Sequence, residues 1–322
     1  MTQAATLRNE NLPSLTVMLA SPRGFCAGVE RAIKTVEKAL ARFGAPVYVR
    51  HEIVHNRHVV ERLATMGAIF IEDLSEADPS RPIVFSAHGA PRAAHDDAEA
   101  RNLLKIDATC PLVLKVHNQT RRNAAQGKHI YIVGHANHPE VIGTIGQAPD
   151  GATTLVETVD DVAKLPPKIG PKAYVTQTTL SVEDARAIIN ALQNRFPEIS
   201  GPKKEDICYA TTNRQTAVKH IAPNVEIFVV IGSQTSSNSK RLVDVALSAG
   251  ASDAMLIDDA QSFDFDKIKN FRTMGLSAGA SAPESLVENF LTALAQRYRL
   301  VIETIETARE DIAFKLPMRL AG

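Results

Sequence analysis

The chain has few cysteines, no excess of either charge and no long apolar run. Its 322 residues include three cysteines, 36 basic and 36 acidic side chains. An odd, sparse cysteine count argues against a disulfide framework and favours a reducing compartment, the cytoplasm. Zero net charge argues against broad electrostatic binding to nucleic acid or to an anionic membrane. No run approaches the ~18 apolar residues of a membrane-spanning helix, so we expect no membrane segment.

Several binding motifs are also missing from the sequence. There is no Gly-x-x-x-x-Gly-Lys-Ser/Thr element, and no Gly-x-Gly-x-x-Gly follows a predicted strand. ATP or dinucleotide binding in the usual mode is therefore not supported. The closely spaced Cys-x-x-Cys pairs that are typical of zinc sites are absent as well.

Short β-branched runs alternate with helical patterns along most of the chain. This alternation is typical of parallel sheets with helices on both faces, so we predict an α/β fold of three similar domains. The predicted division is a disordered leader at 1–14, domain 1 at 15–109 with 284–316 packing back onto it, domain 2 at 110–206 and domain 3 at 207–283.

The three cysteines are far apart but share a local setting. Cys26, Cys110 and Cys208 each stand where an extended stretch gives way to a helical one. Their spacing suggests that three thiolates converge on one soft metal centre with an open coordination position. Zinc or an iron–sulfur cluster could accept these ligands. The wide spacing favours a [4Fe–4S] cluster, in which one iron is left open to a substrate oxygen.

Polar side chains follow six of the predicted strands. In parallel α/β sheets, ligands bind beyond the carboxyl ends of the strands, where helix N-termini point. The hydrogen-bond donors at these positions are His55, His88, His138, Ser236, Ser237, Asn238 and Ser281. A set rich in donors suits a small polyanion, which indicates a phosphate or diphosphate group on the substrate.

A single carboxylate lies among these donors. Glu140 is the natural candidate for a proton relay, and the hydroxyls of Thr178 and Thr179 could pass or orient protons. Taken singly, each polar residue also has a structural explanation, such as capping a helix. Six such loops together with three spaced cysteines favour one shared site.

Nine segments resemble, in order, the family of 4-hydroxy-3-methylbut-2-enyl diphosphate reductases, the LytB family. The resemblance extends from about residue 15 to about residue 283, and the motifs are specific as a set. The segments are PRGFCAGV (22–29), VRHEIVHN (49–56), FSAHG (85–89), DATCPL (107–112), GHANHPE (134–140), TQTTLS (176–181), DICYATTNRQ (206–215), SSNS (236–239) and AGASAP (278–283).

This resemblance implies a pseudo-threefold trefoil of α/β domains around a central [4Fe–4S] cluster bound by Cys26, Cys110 and Cys208. The substrate diphosphate would lie among the seven donors, with Thr178 and Thr179 also binding substrate. Glu140, assisted by Thr178, would supply protons.

The resemblance also implies the reaction. A ferredoxin or flavodoxin would deliver two electrons, and the allylic diphosphate would become isopentenyl and dimethylallyl diphosphate. This is the last step of the non-mevalonate isoprenoid pathway.

Two other functions remain as alternatives at this point. A zinc-dependent hydrolase of a small phosphorylated substrate would be colourless and would need no electron donor. An iron–sulfur sensor would leave Glu140 and the threonines unexplained.

Overall fold

The computed structural model describes residues 12–167 and 169–320. Positions 1–11 of the leader predicted at 1–14 lie outside the described residues. The first strand begins at Ser14. Across the described ranges, no helix is both long and apolar enough to cross a membrane.

The described residues form parallel strands and helices in alternation. The strands are β1 (Ser14–Ser21), β2 (Val47–Arg50), β3 (Ala68–Ile71), β4 (Pro82–Phe85), β5 (Leu104–Asp107), β6 (His129–Val133), β7 (Thr153–Val156), β8 (Lys172–Thr176), β9 (Ile227–Ile231), β10 (Asp253–Ile257), β11 (Thr273–Ala278) and β12 (Arg299–Glu306). The helices are α1 (Ala27–Phe43), α2 (Arg57–Thr65), α3 (Arg92–Ala100), α4 (Pro111–Ala125), α5 (Pro139–Ile145), α6 (Val159–Lys164), α7 (Val182–Arg195), α8 (Tyr209–Ile221), α9 (Ser237–Ser248) and α10 (Glu284–Ala295).

These elements belong to two compact units. Unit 1 contains the described parts of Met1–Cys26, His55–Arg57 and Tyr209–Ile312. Unit 2 contains those of Ala27–Val54, His58–Cys208 and Ala313–Gly322.

Unit 1 has one five-stranded sheet in the order β10-β9-β11-β1-β12, and all of its pairings are parallel. Strand β9 reads Ile-Phe-Val-Val-Ile, and all five residues are buried. A continuous apolar run of this kind is expected where both faces of a parallel sheet are covered.

The partners of β1 come from the C-terminal part of the chain. The predicted division placed β1 in domain 1 (15–109), with 284–316 packing back onto it, and β1 pairs with β11 and β12 in the sheet of unit 1. Strand β12 pairs in parallel with β1 over its full length, from Ser14 opposite Arg299 to Ser21 opposite Glu306. Both partners are distant in sequence, so the local pattern that predicts a strand does not identify its neighbours.

Unit 2 has two parallel sheets, β3-β2-β4-β5 and β7-β6-β8. One strand order occurs three times in the protein, as β3-β2-β4, β7-β6-β8 and β10-β9-β11. In each trio the first strand along the chain lies in the middle. The α/β fold with parallel sheets is therefore confirmed, while the three-domain boundaries stay a prediction.

Candidate functional site

The three cysteines share one backbone geometry. Each immediately precedes a helix, and its N–H donates to a carbonyl two residues beyond the end of a strand. The donor–acceptor pairs are Cys26 with Ala280 after β11 at 3.2 Å, Cys110 with Ala87 after β4 at 3.0 Å, and Cys208 with Thr178 after β8 at 3.1 Å. Each cysteine is thereby fixed beside a loop that contains predicted binding residues.

The chemistry of the three thiols fits a soft metal centre. All three cysteines are half-buried, and none of them is in a disulfide bond. Cysteine thiolates are the usual protein ligands of iron–sulfur clusters. Among the described residues, no group of three or more His, Cys, Asp or Glu residues is placed to hold a metal ion.

Glu140 is a buried carboxyl in the first turn of α5, only 2% exposed. Its Oε1 accepts a hydrogen bond from the Thr178 N–H at 2.6 Å, and its Oε2 accepts one from the Thr178 hydroxyl at 2.9 Å. Burial raises the pKa of Glu140 from 4.5 to about 7, nearby Asp206 adds to the rise, and the Thr178 bonds oppose it. At neutral pH this carboxyl can therefore either hold or release a proton.

Two predicted histidines lie beside this carboxyl in unit 2. His138 is the N-cap of α5, and its Nδ1 accepts a hydrogen bond from the Glu140 N–H at 3.2 Å. The rings of His138 and His88 are nearly perpendicular, with centroids 6.0 Å apart. The left-handed φ of +63° at Asn137 turns the chain into α5, a conformation that asparagine tolerates better than most residues.

In unit 1, two loops that follow β9 and β11 pack closely together. The backbone N–H of Gly279 donates to the Ile231 carbonyl at 2.9 Å. A Cβ at either Gly232 or Gly279 would overlap the hydroxyl of Ser239, so both positions require glycine for this approach. Ser281, in the second loop, donates to the His55 carbonyl at 2.9 Å.

The start of α9 presents further polar groups in unit 1. Ser236 is its N-cap and accepts a hydrogen bond from the Ser239 N–H. Asn238 is only 4% exposed, and neither amide atom has a hydrogen-bond partner among the described residues. A buried amide without partners costs free energy, which indicates a position prepared for a polar ligand.

The predicted site residues thus fall into two groups. Unit 1 holds Cys26, His55, Ser236, Ser237, Asn238 and Ser281. Unit 2 holds Cys110, Cys208, His88, His138, Glu140, Thr178 and Thr179.

Comparison with known proteins decides the family. The family described as LytB protein matches residues 17–295. The chain belongs to the LytB protein family.

Relatives in this family match almost end to end. The 4-hydroxy-3-methylbut-2-enyl diphosphate reductase of Hyphomonas neptunium is 56% identical over 311 residues, covering 96% of this chain and 99% of the relative. The reductase of the same name from Paracoccus denitrificans is 54% identical over 306 residues, covering 95% and 97%. The family resemblance predicted from the sequence is confirmed.

Solved structures of LytB relatives agree. The E-1-hydroxy-2-methyl-but-2-enyl-4-diphosphate reductase from Plasmodium falciparum is 40% identical, with a TM-score of 0.91 and coverage of 96% of this chain and 98% of that one. A second structure, described as the terminal enzyme of the non-mevalonate pathway, is 31% identical with a TM-score of 0.63, covering 88% and 99%.

Sequence reasoning missed two buried polar residues of unit 2. Gln177 accepts a hydrogen bond from the His135 N–H at 3.0 Å and donates to the Thr179 hydroxyl at 2.7 Å. Asp206 accepts one from the Thr176 N–H at 3.1 Å. Both lie inside the LytB-like segments 176–181 and 206–215, so their position in those segments was the available signal.

Proposed function

We propose that this protein reduces 4-hydroxy-3-methylbut-2-enyl diphosphate to isopentenyl and dimethylallyl diphosphate, as an enzyme of the non-mevalonate isoprenoid pathway. The support comes from relatives more than 50% identical over nearly their whole length, which are named as this reductase. The structural observation that best supports the chemistry is Glu140, a buried carboxyl whose pKa is about 7.

The reaction adds two electrons and two protons to the substrate. The allylic C–O bond breaks, the hydroxyl leaves as water, and a C–H bond forms at either end of the allylic unit. A [4Fe–4S] cluster ligated by Cys26, Cys110 and Cys208 would supply electrons and an open iron for the hydroxyl oxygen. A ferredoxin or flavodoxin in the cytoplasm would be the electron donor.

In this proposal Glu140 is the proton donor. A carboxyl with a pKa near neutrality is protonated often enough to donate and can then be reloaded. The Thr178 N–H and hydroxyl hold its two oxygens in one orientation, so the proton is presented in a fixed direction.

The remaining polar side chains would bind the diphosphate. His55, Ser236, Ser237, Asn238 and Ser281 would donate hydrogen bonds to the diphosphate oxygens. His88, His138 and Thr179 would also contact the substrate. Gln177 holds the Thr179 hydroxyl and the 134–138 loop in register.

Turnover of Glu140→Gln tests this assignment. We expect the rate of product formation, with a chemical reductant and the allylic diphosphate, to fall by roughly 10²–10⁴-fold, the usual contribution of a general acid. Substrate affinity should change little, because the amide keeps the size of the side chain. NMR of the two five-carbon diphosphates measures the rate.

Glu198→Gln provides the matched control, since Glu198 is exposed on unit 2. It should turn over at the wild-type rate. Near-normal turnover of Glu140→Gln would remove Glu140 from the proton path. Phosphate release without any reductant would instead support the hydrolase.

A further inference from the structure

Three cationic side chains lie at similar distances along the helices that follow the cysteines. Arg31 on α1 lies five residues after Cys26, and Lys115 on α4 lies five residues after Cys110. On α8, Arg214 lies six residues after Cys208.

Arg214 is fully buried within unit 1. Its Nε and Nη2 donate to the Gly24 carbonyl at 3.1 and 2.8 Å, and Nη2 also reaches the Phe25 carbonyl at 3.3 Å. Its Nη1 lies 3.0 Å from the Glu310 carboxylate, which balances the buried charge. Arg214 therefore fixes the two residues that lead into Cys26.

Arg31 has the same relation to Cys110 within unit 2. It is 8% exposed, and its Nη1 donates to the Thr109 carbonyl at 3.0 Å. Its Nε donates to the Lys315 carbonyl at 2.7 Å, so the guanidinium is anchored on a second segment. Arg31 therefore fixes the residue directly before Cys110.

Lys115 completes the pattern in unit 2. Its Nζ donates to the Lys204 and Glu205 carbonyls at 2.8 Å each and lies 3.1 Å from Oδ1 of Asp206. The Asp206 side chain is fully buried, although that of Lys115 is 37% exposed. These three acceptors belong to the segment that precedes Ile207 and Cys208.

The contacts follow a cyclic order along the chain. The helix after Cys26 holds the segment before Cys110, the helix after Cys110 holds the segment before Cys208, and the helix after Cys208 holds the segment before Cys26. Each contact lies within one unit, and peptide bonds join each cysteine to its own helix.

We propose that Arg31, Lys115 and Arg214 are positioning residues. They hold the segments that precede Cys110, Cys208 and Cys26, respectively. Charge-assisted bonds to carbonyls beside a ligand restrict that ligand's orientation, as partners behind metal ligands generally do. The inference rests on the proposed function only in treating the three cysteines as ligands.

Site-resolved alkylation of the full-length, cluster-free chain tests the cyclic order. Arg31→Met, Lys115→Met and Arg214→Met should each accelerate labelling of one cysteine by about tenfold, the effect of losing one charge-assisted hydrogen bond. The accelerated cysteines should be Cys110, Cys208 and Cys26 respectively. Mass spectrometry of the separate peptides gives the three rates.

Controls separate this effect from general loosening. Lys34→Met on α1 and Arg122→Met on α4 remove exposed cations and should leave all three rates unchanged. Lys115→Arg, which keeps a cation, should restore slow labelling of Cys208. Equal acceleration of all three cysteines, or acceleration of the cysteine that precedes the altered helix, would overturn the proposal.

Glu310→Gln gives a milder test should Arg214→Met fail to fold. Loss of the carboxylate should loosen Arg214 and accelerate Cys26 alone, whereas Glu306→Gln, an exposed carboxylate paired with Arg309, should not. An unchanged Cys26 rate in Glu310→Gln would contradict the role of Arg214.

Iron loss from the reconstituted protein to a chelator distinguishes the two proposals. It should be roughly 10–100-fold faster in the three Met variants, the usual effect of removing partners behind metal ligands. The predicted labelling pattern in a chain that never binds iron would disprove the proposed function and leave the positioning roles standing.

Discussion

Glu140 and Asp206 are buried carboxyls of the same unit, and burial raises the pKa of both. At Asp206, the positive charge of Lys115 opposes the rise in pKa. At Glu140, the rise in pKa is opposed only by neutral hydrogen-bond donors of Thr178. Neutral donors stabilise a carboxylate less than a cation does, which leaves Glu140 close to half protonated at pH 7.

This pKa predicts a pH-dependent cost in stability. Between pH 4.5 and about 7 the folded state binds the Glu140 proton more tightly than the unfolded chain, so the free energy of unfolding falls as pH rises through this window. The cost is absent below pH 4.5 and complete above pH 7, at roughly 3 kcal/mol.

Glu140→Gln should remove this cost. Relative to wild type, the variant should gain roughly 3 kcal/mol in free energy of unfolding between pH 4.5 and pH 8. Urea unfolding at pH 4.5 and at pH 8 measures this gain in the free energy of unfolding. Glu198→Gln, at an exposed position, is the control. A difference from wild type that is the same at both pH values would show that Glu140 has an ordinary pKa.

The sequence indicated Glu140 because it is the only carboxylate among the predicted donors. Its burial could not be predicted, because the Thr178 groups that bind it are 38 residues away. Arg31 and Arg214 were missed for a related reason. A charged residue on a helix looks solvent-exposed until the segment that buries it is known.

At the level of elements, the recurring feature is a cysteine that immediately precedes a helix. Its N–H donates to the carbonyl two residues beyond the end of a strand. The sequence predicted the strand-to-helix position of each cysteine. The carbonyl partners belong to loops distant in sequence, so only the fold identifies them.

Gly279→Ala tests the close approach of the loops after β9 and β11. The added methyl would overlap the Ser239 hydroxyl, and we expect a loss of roughly 1–3 kcal/mol in the free energy of unfolding. Ser239→Ala in the same chain should recover part of this loss, by about 0.5–1.5 kcal/mol beyond additivity. Strictly additive effects in urea unfolding would show that the two residues do not conflict.

At the scale of the whole molecule, the three trios of parallel strands have one order without an evident sequence repeat. Alternating apolar patterns predicted the α/β class correctly, because strand and helix periodicity are local properties. The pairing of β1 with β11 was not predictable, because any parallel neighbour satisfies an apolar strand equally well.

The central claim is that three cysteines from separate parts of the chain serve one redox cluster. Iron and acid-labile sulfide per chain, measured after anaerobic purification of wild type, Cys26→Ser, Cys110→Ser and Cys208→Ser, tests it most directly. We predict about four irons and four sulfides in wild type and a clear loss in each variant. A single zinc without sulfide, or full iron content and turnover in Cys208→Ser, would contradict the account.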